Sequence, residues 1–429
     1  MKILILGATG FIGSAITDAL ATRSHQILAL GRNTRRAEAR EAQLNRDVSW
    51  LTSDLSGFRQ ASDWTRLLDG VEVVVNCAGA LQDGLSDNLA ATQRDAMLAL
   101  YNAAARTQKI RRIVQISADT DGAGADAAFL ATKRAADDAL KASGLDHVIL
   151  RPALVIGRNA FGGTALIRAL AALPFVLPLI DHDSPVATVA LSDVAAEVVA
   201  AVEGETQAGA DLHLASPEIP TLAELVKLHR RWLGLPDAPV IALPALVGRP
   251  VGAVADLLGR LGWRSPLRST ALRVMSGGLT ARSPVEGLLN AGQTLAAHPA
   301  GVQDLWFARL YFKKPLLFFT LSLFWLLSGL IPLLDPMRAG ANFLPFMPWS
   351  AALGVTLATC ALDIALGLAV AVRPWSRRAL WGMLATSLAY IVGGTLLQPD
   401  LWLDPLGPLV KVTPSLALTL VALAILDER

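Results

Sequence analysis

The sequence predicts two dissimilar parts: a doubly wound, parallel-sheet α/β domain, followed by an all-α bundle of four transmembrane helices. Three observations predict it. The chain opens on a short apolar run, Ile3 to Leu6, which breaks into glycines at Gly7, Gly10 and Gly13 and then into an apolar-periodic helix. Strand-like runs then alternate with helical ones. The end of the chain holds four long stretches almost free of charge.

The opening order of strand, glycine turn and helix is the context in which a dinucleotide binds. Gly7 permits a tight turn, Gly10 lets a pyrophosphate approach the backbone, and Gly13 lets the helix pack closely on the strand. Unpaired N–H groups at the start of the helix then meet a phosphate. The expected cofactor turn is therefore Gly7, Thr9, Gly10, Phe11, Ile12 and Gly13.

Composition bounds the rest. A chain of 429 residues has room for two or three domains. At 53% hydrophobic and 17% charged residues it is too apolar for a purely soluble protein, so a membrane part is expected. A net charge of +2 gives no case for nucleic-acid binding. The two cysteines, Cys77 and Cys360, fall in different parts, which argues against a disulfide, and no metal site is supported. The first strand begins at once, with one lysine and no cleavage region, so the first domain is expected to stay in the cytoplasm.

A second strand, Gln26 to Leu30, ends at Gly31-Arg32. An acidic residue at this place holds the ribose of NAD, whereas a basic one suits the 2′-phosphate of NADP. Arg32, with Arg35 and Arg36 behind it, favours NADP(H) over NAD(H). A third strand, Asp47 to Ser53, leads to Asp54-Leu55, and a fourth, Val71 to Cys77, ends in Asn76-Cys77-Ala78-Gly79. A helix from about Ser86 to Gln108, a strand Arg112 to Ser117, a helix from about Ala125 to Ser143 and a strand His147 to Leu150 follow, the last running into Arg151-Pro152.

Together GATGFIG, Asp54-Leu55, Asn76 to Gly79, Ser117, Lys133 and Arg151 to Gly157 make the first 240 or so residues resemble the short-chain dehydrogenase/reductase superfamily. Within it they are most similar to the atypical extended branch, with NmrA-like proteins and the NADPH-binding accessory subunit of respiratory complex I. The resemblance implies a Rossmann domain with a small substrate lobe over residues 1–240. It implies that Asp54 and Leu55 lie by the adenine and that Ala78 and Gly79 line the cofactor channel. Lys133 would hold the nicotinamide ribose and Ser117 would orient a substrate carbonyl. One departure matters most. The acid of that family is a tyrosine four residues before the lysine, and that position is Phe129. Hydride transfer to a carbonyl needs a proton donor, which phenylalanine is not. Tyr101 reads as a packing residue, and Asp119, Asp121, Asp126 and His182 are loop candidates that a solvated surface position explains as well.

Thr221-Leu-Ala-Glu224 is a capping box that opens a helix ending near Leu233-Gly234. Residues 241–308 are apolar with scattered arginines, Arg249, Arg260, Arg264, Arg268, Arg273 and Arg282 among them. Such a segment either lies on an anionic membrane surface or forms a helical linker packed on the first domain.

Spans are expected over Pro315 to Leu334, Trp349 to Val372, Ala379 to Leu397 and Leu406 to Leu426. Lys313, Lys314, Arg373, Arg377 and Arg378 gather at one end, which places both termini in the cytoplasm, as for a bacterial inner-membrane protein. Four spans and the run Asp404 to Lys411 make residues 309–429 resemble the DoxX-like membrane family, some members of which are linked to membrane redox chemistry. Asp363 and Lys411 are the intramembrane ionisable groups. They differ in depth by roughly 13 Å at about 1.5 Å per residue, which argues against a pair. Asp363 is expected to face the bundle interior with Ser or Thr hydroxyls as partners.

Two functions fit. One is a membrane-anchored, NADP(H)-binding reductase of an apolar or quinone-like molecule. The other is a non-catalytic dinucleotide sensor or assembly factor with a protein partner, its chemistry lost at Phe129.

Overall fold

The computed structural model describes every residue except 45, 80, 81, 86, 121–125, 271–277, 279, 282, 428 and 429. Asp121, Arg273 and Arg282 lie outside the described residues. The chain forms two compact units, Met1–Leu257 with Ser265–Ala308, and Leu258–Arg264 with Arg309–Arg429.

The first unit is built on a seven-stranded parallel sheet. Its strands are β1 (Lys2–Leu6), β2 (Gln26–Gly31), β3 (Val48–Thr52), β4 (Val73–Asn76), β5 (Arg112–Ile116), β6 (His147–Pro152) and β10 (Ala210–Leu214), in the order β10-β6-β5-β4-β1-β2-β3. Every pairing is parallel, as crossover helices require. The helices are α1 (Phe11–Ala21), α2 (Arg35–Leu44), α3 (Ala61–Trp64), α4 (Ala96–Thr107), α5 (Ala128–Ala142), α6 (Gly163–Ala171), α7 (Leu191–Glu203) and α8 (Leu222–Trp232). Both faces of the sheet are buried. Ile3, Ile5, Val75 and Val114 join α1 and α7 in one core, whereas Leu4, Leu6, Val74 and Ile113 join α4 in another. Continuous apolar strand runs follow from this double burial. The reversal between β1 and β4 is a topological switch point, the place where such sheets bind ligands.

A smaller lobe is built from β7 (Leu154–Ile156), β8 (Leu177–Ile180), β9 (Thr188–Ala190) and β11 (Val240–Leu243), with β7 beside β9 and β8 beside β11. β9 leads into α7, as the run Asp181 to Leu191 suggests for a strand entering a helix, whereas β7, β8 and β11, of three or four residues, carry too little periodicity to be found in the sequence. Thr221 and Glu224 form the expected capping box on α8. Near its end, His229 is fully buried and its Nδ1 lies 2.9 Å from the Leu225 carbonyl. Burial pushes its pKa down to about 4. The unfolded chain takes up this proton near pH 6.5 and the folded one does not, so stability is whole above pH 6.5 and falls as pH drops from there towards 4. About 3 kcal/mol is lost across that window. Melting of wild type and His229→Gln against pH checks this: the variant should lose that share of the acid slope, and an unchanged slope would contradict it.

After β11 the chain continues as α9 (Gly248–Arg260), α10 (Ala291–Ala296) and α11 (Val302–Leu310). The second unit contains α12 (Lys313–Leu330), α13 (Pro336–Ala341), α14 (Trp349–Ala371), α15 (Arg373–Leu397) and α16 (Val412–Ala424). Three stretches, Lys313–Leu334, Trp349–Ala371 and Arg373–Leu397, are long and apolar enough to cross a membrane. The fourth expected span appears as the 13-residue α16, about 20 Å of helix against a hydrocarbon core of about 30 Å. Gly329 and Gly367 allow the tight approach of α12 to α14. A Cβ on Gly329 would stand 2.5 Å from the Cys360 carbonyl oxygen. Asp363 is buried between three helices and accepts hydrogen bonds from Ser328 Oγ at 2.6 Å and Tyr390 OH at 2.9 Å. The Ser hydroxyl is the expected kind of partner; the Tyr comes from a helix that spacing alone cannot bring near. Lys411 lies at the start of α16, exposed.

Candidate dinucleotide and carbonyl site

The turn between β1 and α1 is closed by the hydrogen bond from Gly10 N–H to the Gly7 carbonyl, 2.9 Å. Gly7 has φ +73°, a conformation that suits glycine. A Cβ on Gly13 would stand 2.2 Å from Gly7 O, so backbone lies against backbone at that position. Helix α1 has no side-chain cap at Gly10. An uncapped helix N-terminus behind a glycine turn at the switch point is what a pyrophosphate requires, so these residues fit a dinucleotide. Thr9 lies against Gly31, where a Cβ would meet its side chain at 2.7 Å. Phe11 and Ile12 open α1 and pack on the core.

The other expected cofactor residues line up beside this turn along the ends of the strands. Arg32 follows β2 directly, half exposed, and pairs with Asp87 at 2.6 Å. Asp54, after β3, caps a short turn by accepting from Ser56 N–H at 2.9 Å, and Leu55 is buried. Ala78 follows β4, and its N–H is held by Asn76 Oδ1 at 3.0 Å. Asn76 in turn donates to Gln115 Oε1 at 2.8 Å, as does Tyr101 OH at 3.2 Å. Tyr101 is thus a buried support for the strand ends, and burial raises its pKa far above the ordinary phenol value. Gly79 faces Lys133, whose Nζ would lie 3.7 Å from a Cβ there. A π-helical turn, Ala90–Asp95, carries the buried Gln93 to the same place.

Lys133 and Phe129 occupy successive turns of α5, with the Lys133 ammonium 5.9 Å from the centre of the Phe129 ring. Lys133 Nζ donates to the Ile116 carbonyl at 2.8 Å, and burial lowers its pKa from the usual lysine range. Ser117 follows β5, and its Oγ donates to Asp137 Oδ2 at 2.5 Å. Asp137 also meets Arg151 Nη1 at 3.0 Å and is 1% exposed. Burial holds its carboxyl above the usual carboxylate range, opposed by the Ser117 hydrogen bond and the Arg151 charge. Arg151 pairs bidentately with Asp211, at 2.6 and 3.0 Å, and donates to the Ala118 carbonyl at 2.7 Å. Arg151 and Asp211 line a cavity of about 400 Å³ with Thr120, Arg134, Lys141 and His213.

Asp137 is the residue sequence reasoning missed. The signal was present, because Asp137 is four residues beyond Lys133 and falls on the same face of α5. Asp126 is exposed, and His182 lies 3.4 Å from Asp183. Asp119 is half-buried in the segment after β5. Both cysteines are free, and no cluster of metal-ligating side chains exists among the described residues.

Residues 7–205 match the family described as NAD(P)H-binding, and residues 322–420 match the DoxX-like family. A ceramide reductase of Caulobacter vibrioides (strain NA1000 / CB15N) is 27% identical over 252 residues, which cover 57% of this chain and 77% of that protein. Among solved structures, the Bordetella bronchiseptica enzyme WbmH in complex with NAD+ aligns with a TM-score of 0.48 and 20% identity, over 56% of this chain and 85% of its own. UDP-glucuronic acid 4-epimerase from Bacillus cereus aligns with a TM-score of 0.48 and 19% identity, over 57% of this chain and 86% of its own.

Proposed function

We propose that this chain, which joins an NAD(P)H-binding domain of the short-chain dehydrogenase/reductase type to a DoxX-like membrane domain, is an NADPH-dependent reductase of a lipid carbonyl at the inner face of a bacterial cytoplasmic membrane. The observation that carries this reading is a glycine turn fit for a dinucleotide in a chain with membrane-length helices, whose relative is named for reducing ceramide, a membrane lipid. A quinone is the other apolar acceptor that such a placement would suit. In this reading Gly7, Thr9, Gly10, Phe11, Ile12 and Gly13 hold the pyrophosphate, and Arg32 turns from Asp87 to the 2′-phosphate. Asp54, Leu55, Ala78 and Gly79 border the adenine and the channel, and Lys133 holds the ribose. Both termini and all four apolar segments take the orientation set by the cationic cluster Lys313, Lys314, Arg373, Arg377 and Arg378.

A reduced nicotinamide, when bound, supplies hydride to the carbonyl carbon. The carbonyl oxygen, which gains the electron pair of the broken π bond, then needs a proton. Phe129 has none to give. Ser117 Oγ gives its proton to that oxygen and regains one from solvent, while Asp137, which accepts the Ser117 hydrogen bond and pairs with Arg151, sets the direction of the hydroxyl. Ser117 is then the catalytic residue, and Asp137 and Arg151 position it.

The test is NADPH consumption by the purified full-length protein offered long-chain keto lipids and quinones in vesicles. Turnover by wild type, with at least a hundredfold less from Ser117→Ala at unchanged NADPH binding, is expected, equivalent to about 2.7 kcal/mol or more. The phenylalanine at position 129 favours one second reading, a dinucleotide sensor or assembly factor that docks a protein partner. NADPH binding without turnover on any lipid or quinone would establish that reading and discard the reductase.

A further inference from the structure

Helix α9 presents three faces. Gly252, Ala255 and Gly259 are buried and small, and form its packing side. Arg249 and Arg260 are exposed along one edge. Between them runs an apolar stripe, open to solvent: Val251, Val254 and Leu257, with Val247 of the preceding short turn also exposed, and Val254 59% and Leu257 57% exposed. At about 100° per residue Val251, Val254 and Leu257 cover an arc of roughly 120°, the width of a helix face that is normally buried. The acidic residue of the helix, Asp256, is held by Arg268 and Ser269, which leaves the exposed edge cationic.

The chain itself says what covers the stripe. Its last turn and the residues after it, Leu258–Arg264, belong to the membrane unit. Within that unit Trp263 Nε1 donates to the Ala371 carbonyl at 2.7 Å, at the end of α14. The Trp263 ring packs on Phe318 of α12, 4.7 Å between centres, and the Arg373 guanidinium lies over it at 5.7 Å. Arg373 N–H also donates to the Leu261 carbonyl at 2.9 Å. This is the end of the spans that carries Lys313, Lys314, Arg373, Arg377 and Arg378. Leu257, the last residue of the stripe, is followed directly in the chain by Leu258, the first residue of that anchored segment.

We propose that α9 is an in-plane membrane helix: its Val251, Val254 and Leu257 stripe, continued by Val247 just ahead of it, enters the bilayer interface, and Arg249 and Arg260 meet anionic lipid headgroups. This does not rest on the reductase reading, since a sensor would carry the helix equally. The ligand is the lipid surface itself, recognised by an apolar stripe edged with guanidinium groups.

The test places an environment-sensitive fluorophore on Val254→Cys in the full chain, with Cys77 and Cys360 replaced by alanine. The protein is reconstituted in phosphatidylglycerol-containing vesicles with and without lipids that carry a quencher. Leu316→Cys, on the exposed side of α12, marks a lipid-facing position, and Glu218→Cys marks a loop of the first unit. At least twofold quenching at Val254, comparable with Leu316 and absent at Glu218, is expected. Quenching at Val254 no greater than at Glu218 would overturn the proposal. Undiminished quenching in phosphatidylcholine alone would overturn the role given to the arginines. Should the cysteine-free chain not fold, a photo-crosslinking residue at Val254 in the wild-type chain replaces it. Lipid adducts support the proposal, and adducts confined to a second copy or another protein overturn it.

Discussion

Alanine at Gly13 is expected to remove dinucleotide binding from a chain that otherwise keeps its sheet. The added methyl would stand 2.2 Å from Gly7 O and 2.9 Å from Gly7 C. Both are backbone atoms of the turn, so no side chain can swing away. The turn must open or α1 must slide off β1, and either movement takes the helix N-terminus from the phosphate. Affinity for NADPH should fall by at least about a hundredfold, or about 2.8 kcal/mol, with a further loss of about 1–3 kcal/mol in stability from overpacking. Gly57→Ala is the control. Nothing lies within 4 Å of a Cβ there and its φ is not positive, so binding and melting should be unchanged. Calorimetry on both variants separates a specific loss at the turn from a general one.

Removing the cation of the buried network has the largest expected effect on stability. Arg151→Met leaves Asp137, 1% exposed, with the Ser117 hydroxyl as its remaining partner, and leaves Asp211 with Lys141 alone. Stranding a buried carboxylate costs about 3–5 kcal/mol. The Ala118 carbonyl loses its donor as well. Melting should fall by on the order of 10 °C for a unit of this size. The double variant Arg151→Met with Asp137→Leu removes the stranded charge and should recover at least half of the loss. If the single variant melts like wild type, the network contributes nothing to the fold, and Ser117 is not positioned by it.

How much of this was legible depended on how local each feature is. The glycine turn, the strand ends that carry Arg32, Asp54 and Ala78, and the substitution at Phe129 each lie within a few residues of sequence, and the periodicity around them placed each on the right kind of element. The sheet order did not, because it depends on which crossover each helix makes. Helix α5 shows the boundary within one element. Lys133 was found through its resemblance to a motif, whereas Asp137 on the same face was not, because its meaning comes from Arg151 and Asp211, 14 and 74 residues further on. In the membrane unit, a lone charge in an apolar run sufficed to single out Asp363 and to require hydroxyl partners. That Tyr390 is one of them follows from the packing of α15 on α14, not from any spacing. In the smaller lobe β9 lies within the run Asp181 to Leu191 that reads as a strand entering a helix, whereas β7, β8 and β11 were illegible because three or four residues show no period.

The central claim is that the glycine turn of this chain holds a nicotinamide dinucleotide, with NADPH preferred through Arg32. Calorimetric titration of the detergent-solubilised full-length protein with NADPH and with NADH, repeated on Gly13→Ala, tests it most directly. The account predicts saturable binding of about one dinucleotide per chain, tighter for NADPH by at least about tenfold, or 1.4 kcal/mol, and lost in the variant. Binding of neither dinucleotide, tighter binding of NADH, or binding undiminished by the alanine would contradict it.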